Sequence, residues 1–139
     1  MELQELLPTS VKILIADDVT SARVVLKGFL KALGYQNVLE AKNGEELLAL
    51  IDQNPDTGLI ICDWEMPEKL GIEVVQHLQQ DERFKDIPFI MATSRSETED
   101  VVQAAVSGVW GYITKPVTQL TLKQEIHDAL LAQREASAT

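Results

Sequence analysis

The sequence predicts a doubly wound α/β domain: a five-stranded parallel sheet alternating with five helices that cover both of its faces. Three observations carry this. Short apolar runs alternate with longer segments of helical period along the chain. Strands separated by helices usually run parallel, because a parallel crossover needs a dozen or more residues. The strongest runs, Leu59 to Cys62 above all, are continuously apolar rather than alternating, as strands covered on both faces are. Right-handed crossovers then favour the doubly wound arrangement.

Taken in order, residues 1–10 read as an N-terminal extension. Leu3, Leu6 and Leu7 offer one apolar turn before Pro8, and it is not counted as an element. Val11 to Ala16 is the first strand and runs into Asp17-Asp18. From about Val19 to Leu33 the period is helical, with Ala22, Leu26, Phe29 and Leu33 on one side and Gly34 as the stop. Asn37 to Ala41 is a short second strand. After the Asn43-Gly44 turn, a second helix runs from Glu45 to about Gln53 on Leu47, Leu48 and Ile51. The turn cluster Asn54-Pro55-Asp56-Thr57-Gly58 ends it.

Leu59 to Cys62 is the third strand. It stops at Asp63, and Pro67 rules out its regular continuation. Gly71 precedes a third helix, about Ile72 to Gln80, that uses Val74, Val75 and Leu78. The fourth strand lies in Ile87 to Ala92 and meets Thr93-Ser94. Ser96-x-x-Glu99 has the pattern of a capping box opening a fourth helix to about Ser107. Trp110 to Ile113 is the fifth strand, ending in Thr114-Lys115-Pro116. The last helix, about Gln119 to Gln133, turns Leu122, Ile126, Ala129 and Leu130 inward. The domain is expected over 11–133, with 134–139 as a frayed tail.

The 139 residues suit one domain with one core. A net charge of −10 disfavours direct nucleic-acid binding, which needs Lys and Arg to neutralise phosphates. It suits a cation or a basic patch on a partner protein, and also ordinary solubility. The lone Cys62 is expected to be a buried, inert thiol. The acidic start Met1-Glu2-Leu3-Gln4-Glu5 lacks the features of a signal peptide. No apolar run approaches the roughly 20 residues that span a bilayer. The default expectation is a reducing, cytoplasmic setting with no membrane association.

Parallel strands bring their C-terminal ends to one edge of the sheet, where ligands of open α/β sheets bind. The polar residues at those ends are Asp17 and Asp18, Asp63, Thr93 and Lys115. Three acids crowded together repel one another unless a cation intervenes. Hard oxygen donors suit Mg²⁺, which takes a few carboxylates and a phosphate oxygen. Lys115 offers a point charge and Thr93 a hydrogen bond to further anionic oxygens. Asp63 can act as a nucleophile toward phosphorus. Metal and Lys115 would neutralise the charge while the carboxylate attacks in line.

These residues carry a resemblance. Asp17-Asp18, Asp63-Trp64-x-Met66-Pro67 with Gly71 beyond, Thr93-Ser94, and Tyr112-x-x-Lys115-Pro116 occur in order, and the chain from residue 11 to about 133 resembles the receiver domains of response regulators, most closely the single-domain chemotaxis (CheY-like) type. The resemblance implies a flavodoxin-like strand order of 2-1-3-4-5. It implies a two-component switch in which Asp63 takes a phosphoryl group from a histidine kinase or phosphotransfer protein. Mg²⁺ would be held by Asp18, Asp63 and the Glu65 backbone carbonyl, with Asp17 acting through water. Thr93 and Tyr112 would be the switch residues, and the face formed by the fourth helix, fifth strand and fifth helix would bind a downstream protein. The protein would not be an enzyme beyond its own phosphoryl transfer and slow loss of phosphate.

Each reading has a plainer competitor. Asp18 also suits a helix cap, and Tyr112 suits packing. His77 and His127 read as surface residues. Trp110 occupies a place where a smaller side chain is expected, and either packs under the last helix or is exposed to a partner. Glu65 and Arg95 each lie two residues beyond a key position, Asp63 and Thr93, so a salt bridge across the cleft mouth is expected to tune the phosphorylated lifetime. Two other functions compete: a stand-alone phosphorelay or phosphate-sink receiver, and an aspartate-nucleophile phosphatase. The latter class carries its nucleophile on the first strand and usually adds a cap domain, and this sequence has neither. A receiver-like module that no longer accepts phosphate is a further alternative, opposed by the intact Asp18, Asp63, Thr93 and Lys115.

Overall fold

The structure is a computed structural model, and it describes residues 1–138; Thr139, the end of the expected tail, lies outside the described residues. Five strands, β1 (Lys12–Ala16), β2 (Val38–Ala41), β3 (Thr57–Cys62), β4 (Phe89–Thr93) and β5 (Gly111–Thr114), form one sheet. The order is β2-β1-β3-β4-β5 and every pairing is parallel. Ala16 lies beside Cys62, Cys62 beside Met91, and Thr93 beside Thr114, so β1 and β3 end level while β4 and β5 run two residues further at the same edge.

Alternation along each strand sorts side chains to two core layers. Leu14, Ile60, Cys62, Phe89 and Met91 pack under α3 (Gly44–Gln53), α4 (Gly71–Gln79) and α5 (Thr98–Ser107). Ile13, Ile15, Leu59, Ile61, Ile90 and Ile113 pack under α2 (Thr20–Ala32) and α6 (Gln119–Ala138). Both faces of β3 are therefore buried, which is why its sequence is continuously apolar. Among the described residues no helix is long and apolar enough to cross a membrane.

Among the described residues the helices number six, not the expected five, because Leu3–Leu6 forms a four-residue helix, α1. Glu5 closes it by accepting the Glu2 N–H at 3.1 Å, and Leu3 and Leu7 are buried in the α2–α6 layer. The buried Tyr35 hydroxyl donates to the Leu7 carbonyl at 2.6 Å, and burial pushes its pKa to about 12. The first ten residues thus supply core, which local periodicity in so short a segment does not reveal.

Three boundaries and one buried stripe also differ from expectation. Thr57 and Gly58 belong to β3, since Thr57 pairs with Lys12. The buried stripe of α2 is Arg23, Leu26 and Leu30, with Ala22, Phe29 and Leu33 at its margin. The Ser96-x-x-Glu99 capping box does not form: α5 begins at Thr98 with Glu97 at its N-cap and no side-chain cap. Arg95 stays in the loop, held by its bonds to Thr93 and Asp100. Finally, α6 continues to Ala138 instead of fraying after Gln133, whose side-chain amide donates to the Asp86 carbonyl at 2.9 Å.

Candidate functional site

Asp63 still belongs to the ladder through its N–H, which donates to the Ala16 carbonyl at 2.9 Å. Its carboxylate, 8% exposed, turns onto the strand ends. One oxygen accepts the Trp64 N–H at 2.7 Å, and the other accepts from Lys115 Nζ at 3.2 Å. Lys115 comes from the loop after β5, where the bond to Pro116 is cis, and it also donates to Asp17 Oδ2 at 2.7 Å. Asp17 Oδ1 accepts the Val19 N–H at 2.9 Å, so both oxygens of this buried acid are engaged. Asp18, next in sequence, is exposed. It does not cap α2, whose N-cap is Val19 without a side-chain bond.

One oxygen from each of Asp17, Asp18 and Asp63 lies within 4.8 Å of the other two. This donor set fits a hard divalent cation: carboxylate oxygens only, with Asp18 exposed, Asp63 bonded to Trp64 and Lys115, and Asp17 bonded to Lys115 and Val19. Burial raises the Asp63 pKa; Lys115 opposes that rise and the Asp17 charge adds to it. Burial works to lower the Lys115 pKa, but the Asp17 hydrogen bond and the Asp63 and Asp17 charges outweigh it, and the net shift is upward. Cys62, fully buried behind Asp63, has its thiol pushed well up by burial and then by the Asp63 and Asp17 charges, as suits an inert thiol.

Thr93 ends β4 and is buried, with Oγ1 accepting the Arg95 N–H at 3.3 Å. Tyr112 is half-buried, and its hydroxyl donates to the Arg95 carbonyl at 2.7 Å. Its own N–H, on the outer edge of β5, donates to Glu125 Oε1 at 3.1 Å. Glu65 and Arg95 meet at the cleft mouth as an ion pair, with Arg95 Nε donating to Glu65 Oε1 at 2.6 Å. The same guanidinium stacks on the Trp64 ring, 4.5 Å from its centroid, and reaches Asp100 at 3.2 Å. One arginine therefore ties the β3–α4 loop to α5.

One site residue lay outside the reading from sequence. Arg23 is buried and donates to the Asp17 backbone carbonyl at 2.7 Å and to Glu40 at 3.0 Å. The signal was an arginine one residue away from the apolar stripe of α2. Gly71 of the motif has a spatial reason: a Cβ there would lie 2.1 Å from the Asp63 carbonyl oxygen. Of the remaining candidates, His77 is exposed, and His127 Nε2 contacts the Met1 carbonyl at 2.6 Å, away from the cleft. Trp110 is partly buried and packs against both core layers.

A parallel 2-1-3-4-5 sheet with acids after β1 and β3, a hydroxyl after β4 and a lysine after β5 defines a receiver fold. Residues 13–127 match the family described as "Response regulator receiver domain", and the chain belongs to that family. Chemotaxis protein CheY1 of Helicobacter pylori is 41% identical over 119 residues, covering 86% of this chain and 96% of that protein. Chemotaxis protein CheY-3 of Vibrio cholerae is 36% identical over 124 residues, covering 89% and 95%. Among solved structures, a CheY-like response regulator receiver domain protein from Methanospirillum hungatei JF-1 superposes with a TM-score of 0.79 at 30% identity, covering 91% of this chain and 99% of that one. The chain is thus a homologue of chemotaxis response regulators, a phosphorylation-activated switch of two-component signalling and not a classical enzyme. Receiver domains bind Mg²⁺ in an acidic pocket, are phosphorylated by histidine kinases and bind downstream targets; Asp17, Asp18 and Asp63 cluster closely enough here that they could hold a metal ion.

Proposed function

We propose that Asp63 is the phosphoacceptor and that Asp18, Asp63 and the Glu65 carbonyl hold Mg²⁺, with Asp17 supporting through water. The observation that carries this is Lys115 Nζ set between Asp17 and Asp63 at the sheet edge, with the exposed Asp18 beside them. A bound Mg²⁺ supplies positive charge against the phosphoryl oxygens. An Asp63 oxygen attacks phosphorus as the bond to the donor's histidine nitrogen breaks, and that nitrogen leaves with the bonding electron pair. Lys115 gives up part of its contact with Asp63 to face a phosphoryl oxygen. Thr93 gives up Arg95's N–H and donates its hydroxyl to another. Tyr112, bonded to the Arg95 carbonyl, feels that loop move, and the α5–β5–α6 face changes its affinity for a protein target. The names of the relatives favour a chemotaxis pathway.

Incubation with Mg²⁺ and acetyl phosphate should give one phosphoryl adduct on Asp63 by mass, with a change in Trp64 fluorescence. Asp63→Asn should lose both. Rapid turnover of phosphate esters would favour the hydrolase reading, and no response the silent module. On this reading the Glu65–Arg95 ion pair obstructs attacking water and lengthens the phosphorylated lifetime. Replacing both by Ala should speed phosphate loss by up to about fivefold, the limit set by an exposed pair worth about 1 kcal/mol or less. An unchanged half-life would remove the pair from lifetime control.

A further inference from the structure

We propose that Arg23 is a positioning residue for the cation site, fixing the peptide that joins Asp17 to Asp18 and so setting where the Asp18 carboxylate points. This rests on the cation reading above. Arg23 lies on α2, on the buried side of the helix, and is 8% exposed. Nε donates to Glu40 Oε1 at 3.0 Å, which answers its charge; Lys27 holds the other oxygen of Glu40 at 2.9 Å. A purely structural ion pair would need nothing more. Yet Nη1 donates to the Asp17 carbonyl at 2.7 Å, in a buried contact shorter than the bond to its charge partner.

That carbonyl belongs to the Asp17–Asp18 peptide. The plane of a peptide is rigid, so holding its oxygen fixes the direction in which the Asp18 backbone leaves. The Asp17 side chain is held separately by Val19 and Lys115. Among the described residues the Asp18 carboxylate has no hydrogen-bond or ion-pair partner of its own. Its aim therefore depends on the backbone beneath it, and that backbone is held by Arg23. Groups that orient a metal's ligands affect affinity nearly as the ligands do.

The sign of the effect separates positioning from charge. Arg23 is a cation near a cation site. If it acted through charge alone, neutralising it would tighten metal binding. Positioning requires the reverse. The probe is Mn²⁺, with free ion counted by electron paramagnetic resonance in the full chain. Arg23→Gln should weaken Mn²⁺ binding roughly tenfold, at the low end of the loss typical for residues that orient ligands. Arg23→Lys, which keeps the charge but loses the fork that reaches both Glu40 and the Asp17 carbonyl, should also weaken it. Arg23→Lys serves if Arg23→Gln does not fold, as judged by circular dichroism. Asp18→Asn is the reference for a lost ligand. Unchanged or tighter binding in folded Arg23→Gln and Arg23→Lys, with Asp18→Asn impaired, would overturn the role of Arg23 alone. Absence of Mn²⁺ binding by the unaltered protein would overturn the cation reading and this inference together.

Discussion

On the β1–α2 side of the cleft, Asp17 is 1% exposed, both of its oxygens are bonded, and a buried arginine holds its carbonyl. On the β4–α5 side, α5 buries only Ala104, while Val102 and Val106 stand 55% and 83% exposed. Its attachment near the cleft is the single side chain of Arg95, shared among Glu65, Trp64 and Asp100. The two walls border the same carboxylate. One is over-determined by buried polar bonds; the other is held by few buried contacts, the condition under which a segment moves at low cost. Chemistry that depends on the aim of charged groups belongs on the first wall. A response that must reach a partner belongs on the second. The apolar groove of about 510 Å³ between α2 and the β5–α6 loop, lined by Ala22, Val25 and Lys115, adjoins the firm wall.

The contrast can be broken most readily at its hinge. Lys115→Met leaves Asp17 and Asp63 facing each other without a cation. Breaking a fully buried pair costs about 3–5 kcal/mol, and the partial exposure of Lys115 reduces the expected loss to about 2–3 kcal/mol in urea unfolding. A loss below the error of that measurement would show that the firm wall does not depend on these bonds. Gly71→Ala is expected to cost about 1–3 kcal/mol, because the new methyl must push back the Asp63 carbonyl and with it the end of β3.

Asp63→Asn should act in the opposite direction. The folded-state pKa of Asp63 is raised, so the native protein holds this proton more tightly than the unfolded chain does. Stability therefore falls as pH rises from the unfolded carboxylate range through the raised folded value. In chelator-treated protein, Asp63→Asn should be more stable than the unaltered chain at pH 7, and the gap should close as pH drops into the carboxylate range. A gap that stays constant with pH would assign the gain to something other than charge burial. The smallest effect belongs to the loose wall: Val106→Ser should change stability by no more than about 0.5 kcal/mol while weakening target binding by the phosphorylated protein. A larger stability loss would mean that α5 is held more firmly than its exposure indicates.

The sheet and the acids at its edge were legible because both are local patterns. An apolar run followed at once by a carboxylate places that carboxylate at a strand tip, and parallel strands bring the tips together whatever the details between them. Asp17, Asp18, Asp63, Thr93 and Lys115 needed no more than this. The helix α1 was not legible, because a four-residue helix owes its place to Leu3 and Leu7 entering a core formed by distant residues. The start of α5 failed for a similar reason: a capping pattern competes with whatever else the loop is bonded to, and here Arg95 has partners on two other elements.

What the sequence by itself determined is which chemical groups gather at one edge of a parallel sheet, because hydrophobic period and residue order suffice for that. Only the tertiary structure decided how firmly each group is held. Arg23 reaching the Asp17 carbonyl, Lys115 joining acids 98 and 52 positions away, and Gly71 leaving room for the Asp63 carbonyl are contacts between elements packed from different layers. Their strength depends on distance and burial, and neither is a property of any one segment of the chain.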